Sequence, residues 1–284
     1  MSQPQTIALN MKRKRIQDPS AFYYVGLSRA KELSQIHIVD TLKREDIRCN
    51  ADAKSELSRL EKISLNKNPS PWWSQENDSL YRIATINCRG LLAHVNDLNQ
   101  DYSLRQATVI NLLETSLGKE DDTPATLFPG YSSHYHSVGK GKGIASFVKE
   151  SQSDIVPAGE MVHGSCQIAK LSTPELDIFA IYKSKTHSNS QLVRSIRNMM
   201  DPNKATFVAG DFNVDNSTDD SLSRELTSLG FNSCVHAATH VRGGHLDHAY
   251  FRDSDRTWQL TVERISPYYT DHDLLGAVLR QIKE

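Results

Sequence analysis

From about residue 80 onward the chain consists of short apolar runs separated by polar turns. The runs are YRIATIN, ATVINLLE, GIASFVK, CQIAKL, LDIFAIY, ATFVAG, DHAYF, WQLTVERI and LLGAVL. Several are apolar at consecutive positions, the pattern of strands covered on both faces. Helical spacing of apolar residues fits 189–200 (NSQLVRSIRNMM) and 220–229 (DSLSRELTSL). Many strands with few helices predict two β-sheets packed face to face and flanked by helices, a four-layer α/β sandwich.

The front of the chain reads differently. AFYYVGLSRAKELSQIHIVD holds a short apolar run, a turn-like LSRAKELSQ and a second, alternating run, IHIV. Residues 51–65 place Leu57, Leu60 and Ile63 near helical spacing among good helix formers. Residues 66–79, NKNPSPWWSQENDS, are polar with two prolines and read as a linker, with Trp72 and Trp73 expected to dock on a neighbouring element. The expected organisation is a small appendage at 1–65, the linker at 66–79 and one domain at 80–284.

Composition is that of an ordinary globular protein, 24% charged and 38% hydrophobic over 284 residues. The net charge of −1 conceals an asymmetry, +5 over residues 1–70 and −6 over the remainder. A polyanionic partner would therefore meet a local basic surface rather than a global field. Cys49, Cys88, Cys166 and Cys234 form no CxxC pair, which argues against thiolate zinc and a disulfide framework and favours a reducing compartment. No apolar run reaches the roughly 18 residues of a membrane span, and MSQPQTIALN lacks the charged start and apolar core of a secretory signal. KRKR at 12–15 reads as solvated surface, with nuclear import or phosphate contact as alternatives.

Candidate chemistry lies where the apolar runs stop. Phe207, Val208 and Ala209 lead to Gly210, where a turn is expected, and then to Asp211, Asn213 and Asp215. Alone, that stretch is equally an Asx turn, in which Asp or Asn bonds its own backbone. Other runs end the same way, at Asn87, Glu114 and Tyr182, while Asp247 opens DHAYF and Asp271 and His272 precede the last run. Strand ends on one edge of a sandwich lie together, so this set is expected to converge. Asp and Glu are hard oxygen ligands for Mg²⁺, and Asn and Tyr donate to phosphate oxygens without adding charge. A His held by a carboxylate stabilises a developing phosphorane. An Asp beside it orients or deprotonates water. Together they suit metal-assisted hydrolysis of a phosphate ester.

In this order, with LLETSL, IYKSK, GDFN, HLDHAY and TDH, the chain resembles the endonuclease/exonuclease/phosphatase superfamily. The likeness spans roughly 80–284 and is strongest to endonuclease domains of mobile elements, which are similar to apurinic endonucleases. It implies that Glu114 is the principal Mg²⁺ ligand with Asp271 nearby, Mn²⁺ being an alternative ion. It implies that Asn87 and Asn213 contact the scissile phosphate or the metal shell, and that Asp211 positions or activates the attacking water. Tyr182 would bond a phosphate oxygen, His272 would stabilise the transition state, and Asp247 would orient His272. The implied reaction cleaves single- or double-stranded DNA to leave a 3′-hydroxyl and a 5′-phosphate, and a nuclear location follows from that substrate. NCRG puts Arg89 where many relatives have Asp, which bears on a second metal position. Lys185 stands where the apurinic branch has Asn; both cations suit binding of a DNA backbone.

The front block carries a second resemblance. YYVGLSRAKEL is similar to the last conserved motif of superfamily 1 helicases of the Pif1 type, whose arginine, here Arg29, reaches the γ-phosphate of ATP. The similarity covers 20–65. The chain has no GxxxxGK[ST] phosphate loop, and GKGKG at 139–143 lacks that spacing, so ATPase activity is not expected from it. A helicase tail followed by such a nuclease resembles the C-terminal end of Helitron-type transposon proteins. The competing readings are a small-molecule or lipid phosphoesterase, an RNA nuclease, and a non-catalytic remnant that binds nucleic acid. His134 and His136 read as surface or core residues with metal ligation as the alternative, His236, His240, His245 and His248 as substrate-facing or structural residues with zinc as the alternative, Arg194 and Arg197 as a solvated helix face, and Lys140 and Lys142 as candidate DNA contacts.

Overall fold

The computed structural model describes residues 7–9, 36–38, 72, 80–118, 127–136 and 139–282. The chain forms two compact units, 1–69 and 70–284. In the first, β1 (Ile7–Leu9) pairs in parallel with β2 (Ile36–Ile38), which falls in the alternating IHIV run. Arg29, the helix expected at 51–65 and Trp73 lie outside the described residues.

The second unit contains β3 (Leu80–Asn87), β4 (Val109–Leu113), β5 (Tyr131–His136), β6 (Ile144–Lys149), β7 (Val156–His163), β8 (Cys166–Ser172) and β9 (Leu176–Lys183). It continues with β10 (Ala205–Asp211), β11 (Asn232–Ser233), β12 (Asp247–Arg252), β13 (Trp258–Ile265) and β14 (Leu274–Gln281). The helices described are α1 (Val95–Gln100), α2 (Tyr102–Arg105), α3 (Asn189–Met199) and α4 (Ser221–Thr227). One six-stranded sheet runs β13–β14–β3–β4–β6–β5 and the other β11–β12–β10–β9–β8–β7. In each, the central pair is parallel, β3 with β4 and β9 with β10, and the other pairs are antiparallel.

All nine runs expected to be strands form strands. The unexpected ones, β5, β7 and β11, are edge strands. An edge strand needs one covered face at most, so β7, largely exposed from Val156 to His163, carries no apolar run. Both expected helices form slightly shorter than their patterns. Arg194 and Arg197 sit on the solvated side of α3, opposite the buried Leu192, Val193 and Ile196.

Alternation along the central strands builds the layers. Ile83, Val109, Ile178, Phe207, Leu275 and Leu279 meet in the layer between the sheets. The opposite face of the first sheet, with Ile86, Ile110, Leu112 and Phe147, packs on Leu98 of α1 and Leu104 of α2. The opposite face of the second, with Ile168, Phe179, Ile181 and Val208, packs on Leu192 and Ile196 of α3 and Leu222 and Leu226 of α4. This is the four-layer α/β sandwich expected.

One correction follows from packing. Gly210 is not a turn: it continues β10, opposite Ile181 and His248, and a Cβ there would overlap the Ile181 carbonyl. Its role is to let β9 and β10 approach immediately before Asp211. Trp72 is fully buried, and a Cβ on Gly276 of β14 would lie 2.9 Å from its ring. Packing of the second unit therefore begins inside the stretch read as linker.

Candidate active site

The inner face that buries the core also carries the site. Asn87 has the parity of Ile83, Tyr182 that of Ile178, Asp211 that of Phe207, and Asp247 that of Ala249 in the same inter-sheet layer. β3, β9 and β10 end at one edge of the sandwich. β12 runs antiparallel to β10 and begins there, with Asp247 directly opposite Asp211. β14 pairs antiparallel with β3, so Asp271 and His272 arrive beside Asn87.

Asp211 is 1% exposed. Its Oδ2 accepts from Asn87 Nδ2 at 2.9 Å and Asn213 Nδ2 at 3.2 Å, and its Oδ1 accepts from the Asn213 backbone N–H at 2.9 Å. The last bond is an Asx turn, so the structural and functional readings of GDFN coexist. Asp215 is a plainer case: its Oδ1 takes the Ser217 N–H at 3.1 Å. Burial and then the charge of Asp247 push Asp211 from 3.8 up to about 7, against the pull of His272 and the Asn87 and Asn213 hydrogen bonds.

His272 Nδ1 lies 2.9 and 3.1 Å from the two Asp247 oxygens. Burial alone would lower the imidazole, but the Asp247 hydrogen bond and the charges of Asp247, Asp211 and Asp271 outweigh it and raise His272 to about 9. Burial also raises Asp247, and His272 pulls it back. Thr239 Oγ1 accepts from the Asp247 N–H at 2.9 Å, fixing the start of β12. Thr270 donates to the Asn87 carbonyl at 2.9 Å, tying the His272 loop to β3.

Asp211, Asn213 and His272 line an open cleft of about 490 Å³ together with Arg89, Glu114, Lys185, His240, Arg242 and Asp271. Arg89, Glu114 and Asn213 have φ of +51°, +51° and +50°, a left-handed conformation disfavoured for side chains larger than glycine. The Glu114 loop is braced by GKGKG: Gly143 O accepts from Thr115 N at 3.2 Å and Lys142 O from Ser116 N at 2.7 Å. That glycine run supports the loop, and a Cβ on Gly143 would overlap Thr115 Oγ1. Tyr182 is raised by burial, the Glu114 charge and a hydrogen bond to Glu114, which joins the two side chains.

All ten candidate residues of this unit lie at this end of the sandwich. Lys185 is an exposed residue of the rim, and Arg89 binds Asp271 Oδ2 at 2.6 Å. Sequence reading did not single out Thr239, Thr270 or Lys183. Lys183 is 1% exposed, lowered by burial, and donates to the Phe212 carbonyl at 3.3 Å. The signal for it was a lysine closing a fully apolar run. His240 belonged to a group of histidines without assigned roles.

Among the described residues, two groups bring three ligand-type atoms within 4.8 Å of one another: Asp211, Asp247 and His272, and His240, Asp271 and His272. In the first, the Asp211 and Asp247 oxygens already accept from Asn87, Asn213 and His272, an arrangement suited to holding protons. Asp271 Oδ1, on the same cleft as Glu114, is buried without a hydrogen-bond partner.

Solved structures share this fold. The endonuclease domain of TRAS1, a telomere-specific non-LTR retrotransposon, is 17% identical, with a TM-score of 0.55 over 72% of this chain and 100% of its own. The human Nocturnin catalytic domain with bound sulfate is 15% identical, with a TM-score of 0.56 over 71% and 94%. D. rerio TDP2 complexed with a single-strand DNA product is 14% identical, with a TM-score of 0.54 over 72% and 100%. No curated protein sequence matches the chain. The family model described as endonuclease/exonuclease/phosphatase matches residues 84–272. The chain belongs to the endonuclease/exonuclease/phosphatase family.

Proposed function

We propose that the chain is a metal-dependent DNA endonuclease that hydrolyses phosphodiester bonds, its nuclease domain preceded by a remnant of a helicase C-terminal region as in Helitron-type transposon proteins. The observation that carries the catalytic reading is the buried Asp211–Asp247–His272 group at the cleft floor. Asp247 holds His272 by Nδ1 and keeps it cationic near neutral pH. His272 Nε2 then offers a charged hydrogen bond to a phosphate oxygen as charge builds there. Asp211, near 7, has the basicity to take a proton from water at neutral pH. Asn87 and Asn213 fix its oxygens, and Tyr182 places a hydroxyl between Glu114 and Asp211.

Mg²⁺ or Mn²⁺ held by Glu114 and Asp271 would supply Lewis-acid stabilisation of the phosphate and its leaving oxygen. Arg89, Lys185 and Arg242 on the rim suit a polyanion extending beyond the scissile bond. The DNA product in the TDP2 structure supports a nucleic-acid substrate. The test is substrate choice: wild type in Mg²⁺ is offered supercoiled plasmid, labelled single-stranded DNA, RNA and small phosphate monoesters. Preferential DNA cleavage supports the proposal. Turnover of small esters or RNA with intact DNA transfers the same chemistry to a different substrate and overturns it.

A further inference from the structure

His240 lines the cleft beside Asp271. Its Nδ1 accepts from the backbone N–H of Arg242 at 3.1 Å, and its Nε2 lies 3.3 Å from Asp271 Oδ2. A ring whose Nδ1 accepts carries its proton on Nε2. Nε2–H therefore faces Asp271 in a close polar contact, and it has no lone pair for a metal, although His240, Asp271 and His272 are close enough to suggest a three-ligand site.

The turn keeps the ring in place. His240 N donates to Gly244 O at 3.1 Å, Gly243 N donates back to His240 O at 2.8 Å, and Val241 N donates to Asp271 O at 3.0 Å. The ring also stands edge-on to His272, with centroids 4.9 Å apart. Asp271 thus has unequal oxygens. Oδ2 accepts from Arg89 at 2.6 Å and lies 3.3 Å from His240 Nε2, whereas Oδ1 is buried, has no hydrogen-bond partner and lies 3.9 Å from His272 Nε2.

The two cationic or N–H groups against Oδ2 differ in how firmly they are held. The Arg89 side chain is 56% exposed and that of His240 only 11%. An exposed ion pair exchanges partners at little cost. A buried donor locked by backbone bonds does not. We infer that His240 is a positioning residue: it fixes Asp271 by one oxygen, so that the other stays directed to a divalent cation when Arg89 leaves for substrate phosphate. This rests on the metal-dependent reading above.

The test measures cation binding without turnover. Mn²⁺ is titrated into wild type, His240→Phe and His240→Gln and followed by electron paramagnetic resonance, with thermal unfolding as a folding control. Phe keeps a ring against His272 but no donor, while the Gln side-chain N–H falls where Nε2–H was. Mn²⁺ affinity should fall about 10-fold or more in the Phe variant, the usual loss when a ligand's orienting partner is removed. The Gln variant should recover most of it, with both variants folded. A folded Phe variant with wild-type affinity overturns the clamp, and so does a Gln variant no better than Phe. Wild type that binds no Mn²⁺ overturns the metal-dependent reading itself, and the clamp with it.

Discussion

Asp211→Asn should make the protein more stable and inactive, with the stability gain growing as pH rises. The substitution is nearly isosteric and keeps an oxygen to accept from Asn87. Asp211 is an acid whose folded value, about 7, is raised above its ordinary 3.8. The folded state therefore binds the proton more tightly than the unfolded state does. Ionising this carboxylate costs nothing extra below 3.8, costs progressively more between 3.8 and about 7, and is fully felt above about 7. At about 1.4 kcal/mol per tenfold, the full cost is about 4 kcal/mol, of which about 2.5 kcal/mol accrues between pH 5 and pH 8. Asn carries no such cost. Thermal unfolding in EDTA at several pH values reads the difference directly. The variant should gain on wild type by about 5–10 °C in melting temperature between pH 5 and pH 8. A gain independent of pH, or a loss at pH 8, would refute the claim that Asp211 is held in the fold as a weak acid.

Activity should follow the same two groups. With Asp211 acting ionised and His272 acting protonated, kcat/KM should be bell-shaped, with an acid limb near 7 and an alkaline limb near 9, and a flat profile from pH 6 to pH 10 would contradict both assignments. Glu114→Ala should abolish metal-dependent cleavage and leave the melting temperature within a few degrees of wild type, whereas near-normal cleavage would remove Glu114 from the metal site. Gly210→Ala should cost about 1–3 kcal/mol by denaturant titration, because the clash is with the Ile181 backbone and not with a mobile side chain. An unchanged midpoint would show that β9 and β10 tolerate separation beside Asp211.

The central layers were legible because two-sided burial writes itself into sequence. IFAIY is apolar at every position and ATFVAG at all but Thr206, as strands between two packed faces must nearly be, while β5 and β7 at the sheet edges carry mixed residues that periodicity cannot recover. Most candidate residues were legible because they stand at one end of an apolar run. Which atoms they bond was not. Asn87 read as a phosphate contact, yet its amide is turned onto Asp211, a pairing across 124 residues that depends on sheet order. His240 was one histidine among several until an isolated bridge placed it beside His272. The positive φ of Arg89 and Glu114 leaves no trace in residue type either, since strain there is imposed by the loops around them.

The most direct test of the account is a nicking assay. Supercoiled plasmid is incubated with wild type in Mg²⁺, with wild type in EDTA, and with His272→Ala in Mg²⁺. Wild type should relax the plasmid in Mg²⁺ and not in EDTA, and the variant should lose about 10²–10³-fold in rate. Nicks should carry 3′-hydroxyl and 5′-phosphate ends. Cleavage that persists in EDTA, or that His272→Ala performs at the wild-type rate, would contradict it.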